Sequence, residues 1–322
     1  MVKVYIAGPI PQVGLDILKE NNIEVDMYDG PGVVDQETLK NGVKDADALI
    51  SILSTNVDKD VIEAGENLKV IANYGAGFNN VDIDFAKSKG IYVTNTPEVS
   101  TRSTAELTFA LVLAVARRIP EGDQLSRTKG FDGWAPLFFR GREVSGKTIG
   151  IVGLGAIGSA VAKRAKAFDM DVLYTGPHRK EDKERELGVK YADFDTLLEN
   201  SDFVTINAAY NDNLHHMFDT EQFKQMKPTA YLVNASRGPI VNEQALADAL
   251  KDKVIEGAAL DVYEFEPKIT EDLKSLDNVV ITPHIGNATF EARDGMAKIV
   301  ANNTVDVLKE NKAPKFVVND VE

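Results

Sequence analysis

The sequence contains no cysteine, and its 322 residues include one tryptophan and four histidines. The absence of cysteine excludes disulfides, thiolate nucleophiles and thiolate metal sites, so catalysis must come from other side chains. Long hydrophobic runs are also absent. The most apolar stretch, Leu107 to Ala116, is flanked by Glu106 and by Arg117 and Arg118, and it is too short to cross a bilayer. We predict a buried helix there, no membrane association and no metal site.

Positive charge is scarce, because 36 lysines and arginines face 50 acids and give a formal net charge of −14. Such a chain repels nucleic-acid phosphate and anionic lipid, which argues against a nucleic-acid partner. The chain opens on the strand-like residues 2–7 and not on a signal segment, so a cytoplasmic location is the default expectation. The length favours two domains, and an apolar fraction of 43% is typical of folded proteins.

Short runs of β-branched and aliphatic residues alternate with longer amphipathic segments along the whole chain. This pattern is typical of strands joined by crossover helices, so the predicted fold class is α/β with doubly wound parallel sheets. The first hundred residues suffice for one such unit. Its predicted strands lie near Val2–Ala7, Val25–Tyr28, Ala48–Leu53, Val70–Asn73 and Ile91–Thr94, and its helices near Val13–Glu20, Asp35–Gly42, Asp58–Ala64 and Asp82–Lys89.

A second series of strands follows a long apolar helix, Ser103–Arg118, and an aromatic, Gly- and Pro-containing loop, Gly130–Gly141. We expect that loop, here called the aromatic arm, to pack across an interface. The six strands are typical of a nucleotide-binding unit and lie near Thr148–Val152, Val172–Thr175, Phe203–Asn207, Tyr231–Asn234, Gly257–Val262 and Val279–Thr282. A last helix, Phe290–Leu308, cannot form a third domain alone.

A glycine-rich loop follows the first strand of this second series and leads into a helix. In it, Gly153 permits a tight turn, Gly155 lets the backbone approach a pyrophosphate, and Gly158 lets the helix pack on the strand. The amides of Ala156 and Ile157 open the helix, whose positive end attracts phosphate. A dinucleotide site is predicted; the alternative is an ordinary strand–helix turn.

The choice of cofactor is made at the end of the next strand, where an acid would hold the adenosine 2′-hydroxyl of NAD. Here Thr175 and Gly176 are followed by His178, Arg179 and Lys180, and the acid is missing. Because cations there can pair with a 2′-phosphate, NADPH is predicted as the preferred cofactor and NADH as the alternative. The competing interpretation of this basic segment is a solvated turn.

Three polar residues follow successive strands of the second series: Arg237, Glu266 and His284. The carboxyl ends of parallel strands meet at one edge of the sheet, where ligands bind. Reduction of a 2-oxo acid needs a proton donor, for which an imidazole beside a carboxylate is suited, and a cation for the substrate carboxylate. Each residue alone has a plain structural interpretation, whereas together beside a dinucleotide loop they predict a catalytic set.

These motifs resemble those of the D-isomer-specific 2-hydroxyacid dehydrogenases. Within that family the chain is most similar to the glyoxylate/hydroxypyruvate reductases, through Leu173–Gly176 and through Trp134–Leu137 in the arm. The resemblance spans nearly the whole chain, and its motifs are Val152–Gly158, Asn234–Gly238, Leu260–Pro267 and Pro283–Gly286. It implies the roles already given to Arg237, Glu266 and His284.

The resemblance further implies a discontinuous substrate domain, residues 1–100 plus 288–322, and a central dinucleotide-binding domain, residues 101–287. It implies a homodimer joined through the Ser103–Arg118 helix and the aromatic arm, with Trp134 near the neighbouring subunit's substrate. The backbone amides of Ala76 and Gly77, next to Gly75, would bind the substrate carboxylate, and Leu53 would border the substrate. We also assign to the cofactor site Thr104, Ala235, Ser236, Asp261 and Gly286.

The expected function is the reduction of glyoxylate or hydroxypyruvate to a 2-hydroxy acid, with His284 as proton donor. Two alternatives stay open. One is an NAD(P)H-binding sensor or corepressor-like protein, which can keep the same motifs without turnover. The other is an enzyme for another 2-hydroxy acid, such as D-lactate or 3-phosphoglycerate.

Overall fold

The computed structural model describes residues 2–321, which form two compact units. The first unit takes the residues up to Ser100 and those from Asn287 onward, and the second takes Thr101–Gly286. The second boundary therefore lies one residue before the predicted one. No helix in the described part of the chain combines the length and apolar character needed to span a membrane.

The first unit is built on a five-stranded parallel sheet with strand order β2-β1-β3-β4-β5. Its strands and helices alternate along the chain as β1 (Lys3–Ile6), α1 (Gln12–Glu20), β2 (Glu24–Met27), α2 (Gln36–Val43), β3 (Ala48–Ile52), α3 (Lys59–Ala64), β4 (Val70–Tyr74), α4 (Ile83–Ser88) and β5 (Tyr92–Thr94). These agree with the predicted elements to within a few residues. The agreement arises because Asp35, Asp58 and Asp82 each cap the following helix by accepting a backbone N–H with the side chain.

The second unit contains a seven-stranded parallel sheet with strand order β12-β11-β10-β9-β6-β7-β8. In chain order its elements are α5 (Thr101–Ala116), α6 (Ile119–Thr128), β6 (Thr148–Val152), α7 (Ala156–Ala167), β7 (Asp171–Thr175), α8 (Glu181–Leu187), β8 (Lys190–Tyr191), α9 (Phe194–Asn200), β9 (Phe203–Ile206), α10 (Thr220–Gln225), β10 (Tyr231–Asn234), α11 (Glu243–Lys251), β11 (Gly257–Leu260), α12 (Glu271–Lys274) and β12 (Val279–Ile281). The strand order reverses direction between β6 and β9, and this switch point is where open α/β sheets bind ligands.

One strand of this sheet was not predicted. β8 is two residues long and exposed at the sheet edge, where it pairs with β7. Six strands were expected because a run of two residues gives no periodic signal. The α/β class with two parallel sheets is confirmed.

The predicted helix at Ser103–Arg118 is present as α5 and lies largely buried in the second unit, where it packs against α7 and the β10–β11 strands. By contrast, α6 has no buried residue. The aromatic arm that follows is exposed, with Trp134 88% and Leu137 76% accessible. This surface is apolar and has no partner within the described chain.

After the second unit the chain returns to the first with α13 (Phe290–Leu308). This helix packs on α1 and β4 and buries Met296, Val300 and Val305 in the core of the first unit. The tail continues along β5, where the side-chain amide of Asn319 bonds the backbone of Val93. The helix Phe290–Leu308, which was predicted not to form a third domain, is thus part of the first unit.

Candidate active site

The glycine loop joins β6 to α7 at the switch point of the second sheet. Gly153 has a φ of +95°, and an added Cβ there would lie 2.7 Å from the Ala208 backbone nitrogen, so only glycine fits the turn. Gly155 is the N-cap of α7, and its missing side chain leaves open space with no atom within 4 Å. The loop is tied to β7, because Gly153 N donates to Thr175 O at 3.0 Å.

This geometry fits a pyrophosphate. The open space at Gly155 lets a ligand approach the backbone, and the first-turn amides of α7, including Ala156 and Ile157, have no intrahelical acceptors. The helix dipole adds partial positive charge at the same point. The residues predicted for dinucleotide binding therefore lie together and offer donors of the required kind.

The basic turn after β7 differs from the interpretation that the sequence suggested. Arg179 is not a free cation, because its Nε and Nη2 both donate to the Glu184 carboxylate at 2.9 Å. The Lys180 ammonium donates to Leu154 O within the glycine loop at 3.0 Å. His178 is exposed. Although no acid follows Gly176 at the end of the strand, an acid from α8 therefore pairs with the basic turn.

The catalytic pair predicted at the carboxyl edge of the second sheet is formed. His284 Nδ1 lies 2.9 Å from Glu266 Oε2, and Glu266 Oε1 accepts the Tyr263 backbone N–H, also at 2.9 Å. Burial would raise the pKa of Glu266, but the hydrogen bond and charge of His284 outweigh it and hold that pKa below its usual range. The carboxylate thus stays charged and orients the ring so that Nε2 faces away from it.

Asp261 anchors the loop that carries His284. It is 1% exposed, and its carboxylate accepts Thr282 Oγ1 at 2.6 Å and the backbone N–H groups of Ile285 and Gly286 at 2.8 Å. Burial raises the pKa of Asp261, and the hydrogen bond from Thr282 opposes that rise. We assigned Asp261 to the cofactor from sequence; the contacts give it the additional task of positioning His284.

Arg237 is the third predicted catalytic residue and lies at the end of β10. Its guanidinium is largely desolvated, which lowers its pKa, while the negative charge of Glu266 opposes that effect. Nη1 donates to Ser236 O at 2.8 Å, and no other acceptor for the guanidinium is found among residues 2–321. Two nitrogens of a half-buried cation therefore remain available to an anion.

Two positioning residues were not predicted from sequence. Asn234 is 1% exposed; its side chain accepts Ser236 N and donates to Arg237 O, both at 3.0 Å, and so shapes the turn that presents Arg237. Glu243, 2% exposed at the start of α11, accepts Glu264 N at 2.6 Å, and Thr270 Oγ1 at 2.5 Å. It closes the loop bearing Glu266. The signal in the sequence that could have pointed to Glu243 was an acid at the start of a helix.

In the first unit, the residues predicted for the substrate carboxylate form a compact turn after β4. The carbonyls of Ala76 and Gly77 accept from the side chains of Asn95 and Asn73 at 2.7 and 2.8 Å. No residue in the described ranges accepts the Ala76 or Gly77 amide N–H. Leu53 packs against Gly75, where an added Cβ would lie 2.1 Å from Leu53 Cδ2. The turn therefore points its carbonyls inward and leaves two donors for an anion.

The remaining predicted residues are placed as follows. Thr104, on α5, lies close to Gly286, whose added Cβ would be 3.4 Å from Thr104 Cγ2. Ala235 is buried, and the Ser236 hydroxyl bonds Ala208 O beside the glycine loop. Trp134 lies in the exposed arm, and the structure brings it to none of the other predicted residues.

Two further histidines follow β9, of which His215 is exposed and His216 is half-buried. His216 Nε2 lies 2.6 Å from Glu264 Oε1. The ligand atoms of His215, His216 and Glu264 lie within 4.8 Å of one another, a spacing compatible with a cation. His216 Nε2 and Glu264 Oε1 are already paired with each other by this hydrogen bond.

A glycine loop at the switch point of a doubly wound sheet, with a His–Glu pair and an arginine at the ends of its later strands, defines the class of dinucleotide-dependent dehydrogenases. Residues 109–286 match the family model described as D-isomer specific 2-hydroxyacid dehydrogenase, NAD binding domain. The chain belongs to this family of 2-hydroxyacid dehydrogenases.

Relatives extend the match to the whole chain. A Staphylococcus saprophyticus protein named "Putative 2-hydroxyacid dehydrogenase" is 75% identical over 99% of this chain and 100% of its own. A Thermus thermophilus protein of known structure is 37% identical, covers 98% of this chain and 100% of its own, and has a TM-score of 0.94. An NADPH-dependent glyoxylate/hydroxypyruvate reductase from Sinorhizobium meliloti is 28% identical with a TM-score of 0.83, over 98% and 96% of the two chains.

Proposed function

We propose that this enzyme reduces glyoxylate or hydroxypyruvate to the corresponding 2-hydroxy acid, with NADPH as the preferred cofactor. The observation that carries the chemistry is the hydrogen bond between His284 Nδ1 and Glu266, at the sheet edge that also holds the glycine loop. The substrate rests on the sequence resemblance to the glyoxylate/hydroxypyruvate reductases, and the similarity to the Sinorhizobium meliloti enzyme supports it.

The bound nicotinamide would supply a hydride to the carbonyl carbon of the 2-oxo acid. His284, oriented by Glu266, would donate a proton from Nε2 to the carbonyl oxygen, so that one hydride and one proton make the alcohol. Arg237 would pair with the substrate carboxylate and polarise the carbonyl through its free donors. In the first unit, the unpaired amides of Ala76 and Gly77 are the donors that the family resemblance assigns to substrate binding.

A kinetic panel tests this proposal. Glyoxylate, hydroxypyruvate, pyruvate and 3-phosphohydroxypyruvate are each assayed with NADPH and NADH by following absorbance at the nicotinamide band. We expect the highest kcat/KM for glyoxylate or hydroxypyruvate with NADPH. A preference for pyruvate or for the phosphorylated acid would reassign the substrate to D-lactate or 3-phosphoglycerate chemistry. Tight cofactor binding with no turnover on any of them would favour a sensor.

A further inference from the structure

The basic turn after β7 was predicted to bind the 2′-phosphate of NADPH. Glu184 can compete with that phosphate for Arg179. One edge of the Arg179 guanidinium, formed by Nε and Nη2, is engaged by Glu184, whose side chain is 15% exposed against 58% for the arginine. A bidentate pair of this geometry is what a guanidinium also forms with a phosphate. The carboxylate therefore occupies one of the two edges through which Arg179 could bind a 2′-phosphate, and it offsets the positive charge of the arginine.

Glu184 is held in place by more than the arginine. The hydroxyl of buried Tyr174 donates to Glu184 Oε1 at 2.9 Å and accepts the backbone N–H of Lys180 at 2.6 Å. The hydrogen bonds and charge of Arg179 hold the pKa of Glu184 below its usual range, so the carboxylate stays ionised at neutral pH. The competitor is thus fixed and charged.

The same turn is fastened to the glycine loop. The Lys180 ammonium donates to Leu154 O, and Gly153 N donates to Thr175 O, both at 3.0 Å. These contacts attach both ends of the 175–180 segment to the loop that fits a pyrophosphate. Arg179 and Glu184 therefore lie where the adenosine ribose of a dinucleotide is expected in this fold.

We propose that Glu184 tunes the cofactor specificity of this enzyme: NADH binds with the Arg179–Glu184 pair intact, whereas the 2′-phosphate of NADPH must share Arg179 with Glu184 or displace it. The inference rests on the proposed dinucleotide site. Glu184 acts here through Arg179 and by repelling the phosphate. It replaces, from the next helix, the acid that NAD-type sheets carry at the end of this strand, and it makes the preference for NADPH smaller than the basic turn alone would give.

The test measures binding by isothermal titration calorimetry with probes that differ only in the 2′-phosphate: 2′,5′-ADP against 5′-AMP, and NADPH against NADH. For Glu184→Gln we expect 2′,5′-ADP and NADPH to bind about two- to fivefold more tightly, the range of an exposed ion pair, with 5′-AMP and NADH unchanged. For Arg179→Ala we expect 2′,5′-ADP to bind about tenfold more weakly. Most of the Glu184→Gln gain should vanish in the double variant, because Arg179 is then absent.

Glu186→Gln is the matched control, since Glu186 lies on the same helix and pairs with Lys163 and Lys183 instead. It should leave both nucleotide ratios unchanged. If Glu184→Gln leaves the 2′,5′-ADP to 5′-AMP ratio at the wild-type value, or weakens both ligands alike, Glu184 is only structural and the inference is overturned while the proposed function stands. Failure of the wild-type chain to bind any of the four nucleotides would overturn both.

Discussion

Two His–Glu pairs involve acids of the segment from Tyr263 to Glu266, and they differ in which ring nitrogen the acid engages. His216 uses Nε2 for Glu264. His284 uses Nδ1 for Glu266 and keeps Nε2 free, in a side chain that is 33% exposed. A general acid needs a ring nitrogen that is not engaged within the protein, and for His284 that nitrogen is Nε2.

We expect His284→Ala to lower kcat by about a hundredfold or more, the contribution typical of a general acid. The dissociation constant for NADPH should change little, because the glycine loop is untouched. Steady-state kinetics and calorimetric titration provide the two readouts. His215→Ala serves as the control, since His215 is exposed and contacts neither Glu266 nor Arg237. Turnover of the His284 variant near the wild-type level would reject its role as proton donor.

The sequence predicted the catalytic residues because each follows a strand with a clear apolar pattern, and the carboxyl ends of parallel strands share an edge. The sequence could not predict which polar side chains form hydrogen bonds or ion pairs with one another. Arg179 and Glu184 are five residues apart, a spacing that is not a helix-surface pair, so the basic turn looked unpaired. The donors to Asp261 come from Ile285 and Gly286, far along the chain.

At the scale of elements, the loop between β11 and α12 carries Glu266 and is closed at both ends by Glu243 of α11. The Glu243 carboxylate accepts Glu264 N at 2.6 Å, Thr270 N at 3.2 Å and Thr270 Oγ1 at 2.5 Å. An acid 2% exposed with three donors is fully compensated, and its loss leaves donors without partners. The geometry of Glu266 therefore depends on Glu243 of α11, which lies outside the predicted catalytic set.

For Glu243→Gln we expect the free energy of unfolding to fall by about 1–3 kcal/mol, since the amide keeps one acceptor oxygen for three donors. We also expect a lower kcat with little change in the KM for cofactor, because the loop carrying Glu266 loosens. Urea denaturation and kinetics measure these effects. Glu271→Gln is the control, as Glu271 pairs with exposed Lys274. Equal stability of the two variants would contradict the assigned role.

At the scale of the whole molecule, the aromatic arm is the apolar surface that most needs a partner. Phe131 and Phe138 join Trp134 and Leu137 in presenting large side chains that are 46–88% exposed. Clusters of this kind mark interaction surfaces in folded proteins. The family resemblance predicts that a second copy of the chain covers it.

We expect size-exclusion chromatography with light scattering to give about twice the chain mass of 35.2 kDa. Leu137→Asp should shift the population toward monomer, because a charge in an apolar interface is costly. Val33→Asp, which places the same charge at an exposed aliphatic site in the first unit, should leave the mass unchanged. A wild-type monomer at all concentrations would contradict the dimer.

The division of the chain also governs the order in which the two units can be completed during synthesis. The second unit is continuous in sequence, so every strand of its sheet has been synthesised before Asn287 is added. The first unit, although begun earlier, lacks the α13 side chains Met296, Val300 and Val305 that cover one face of its sheet. The part of the first unit up to Ser100 must therefore wait for α13, with an apolar face uncovered in the meantime.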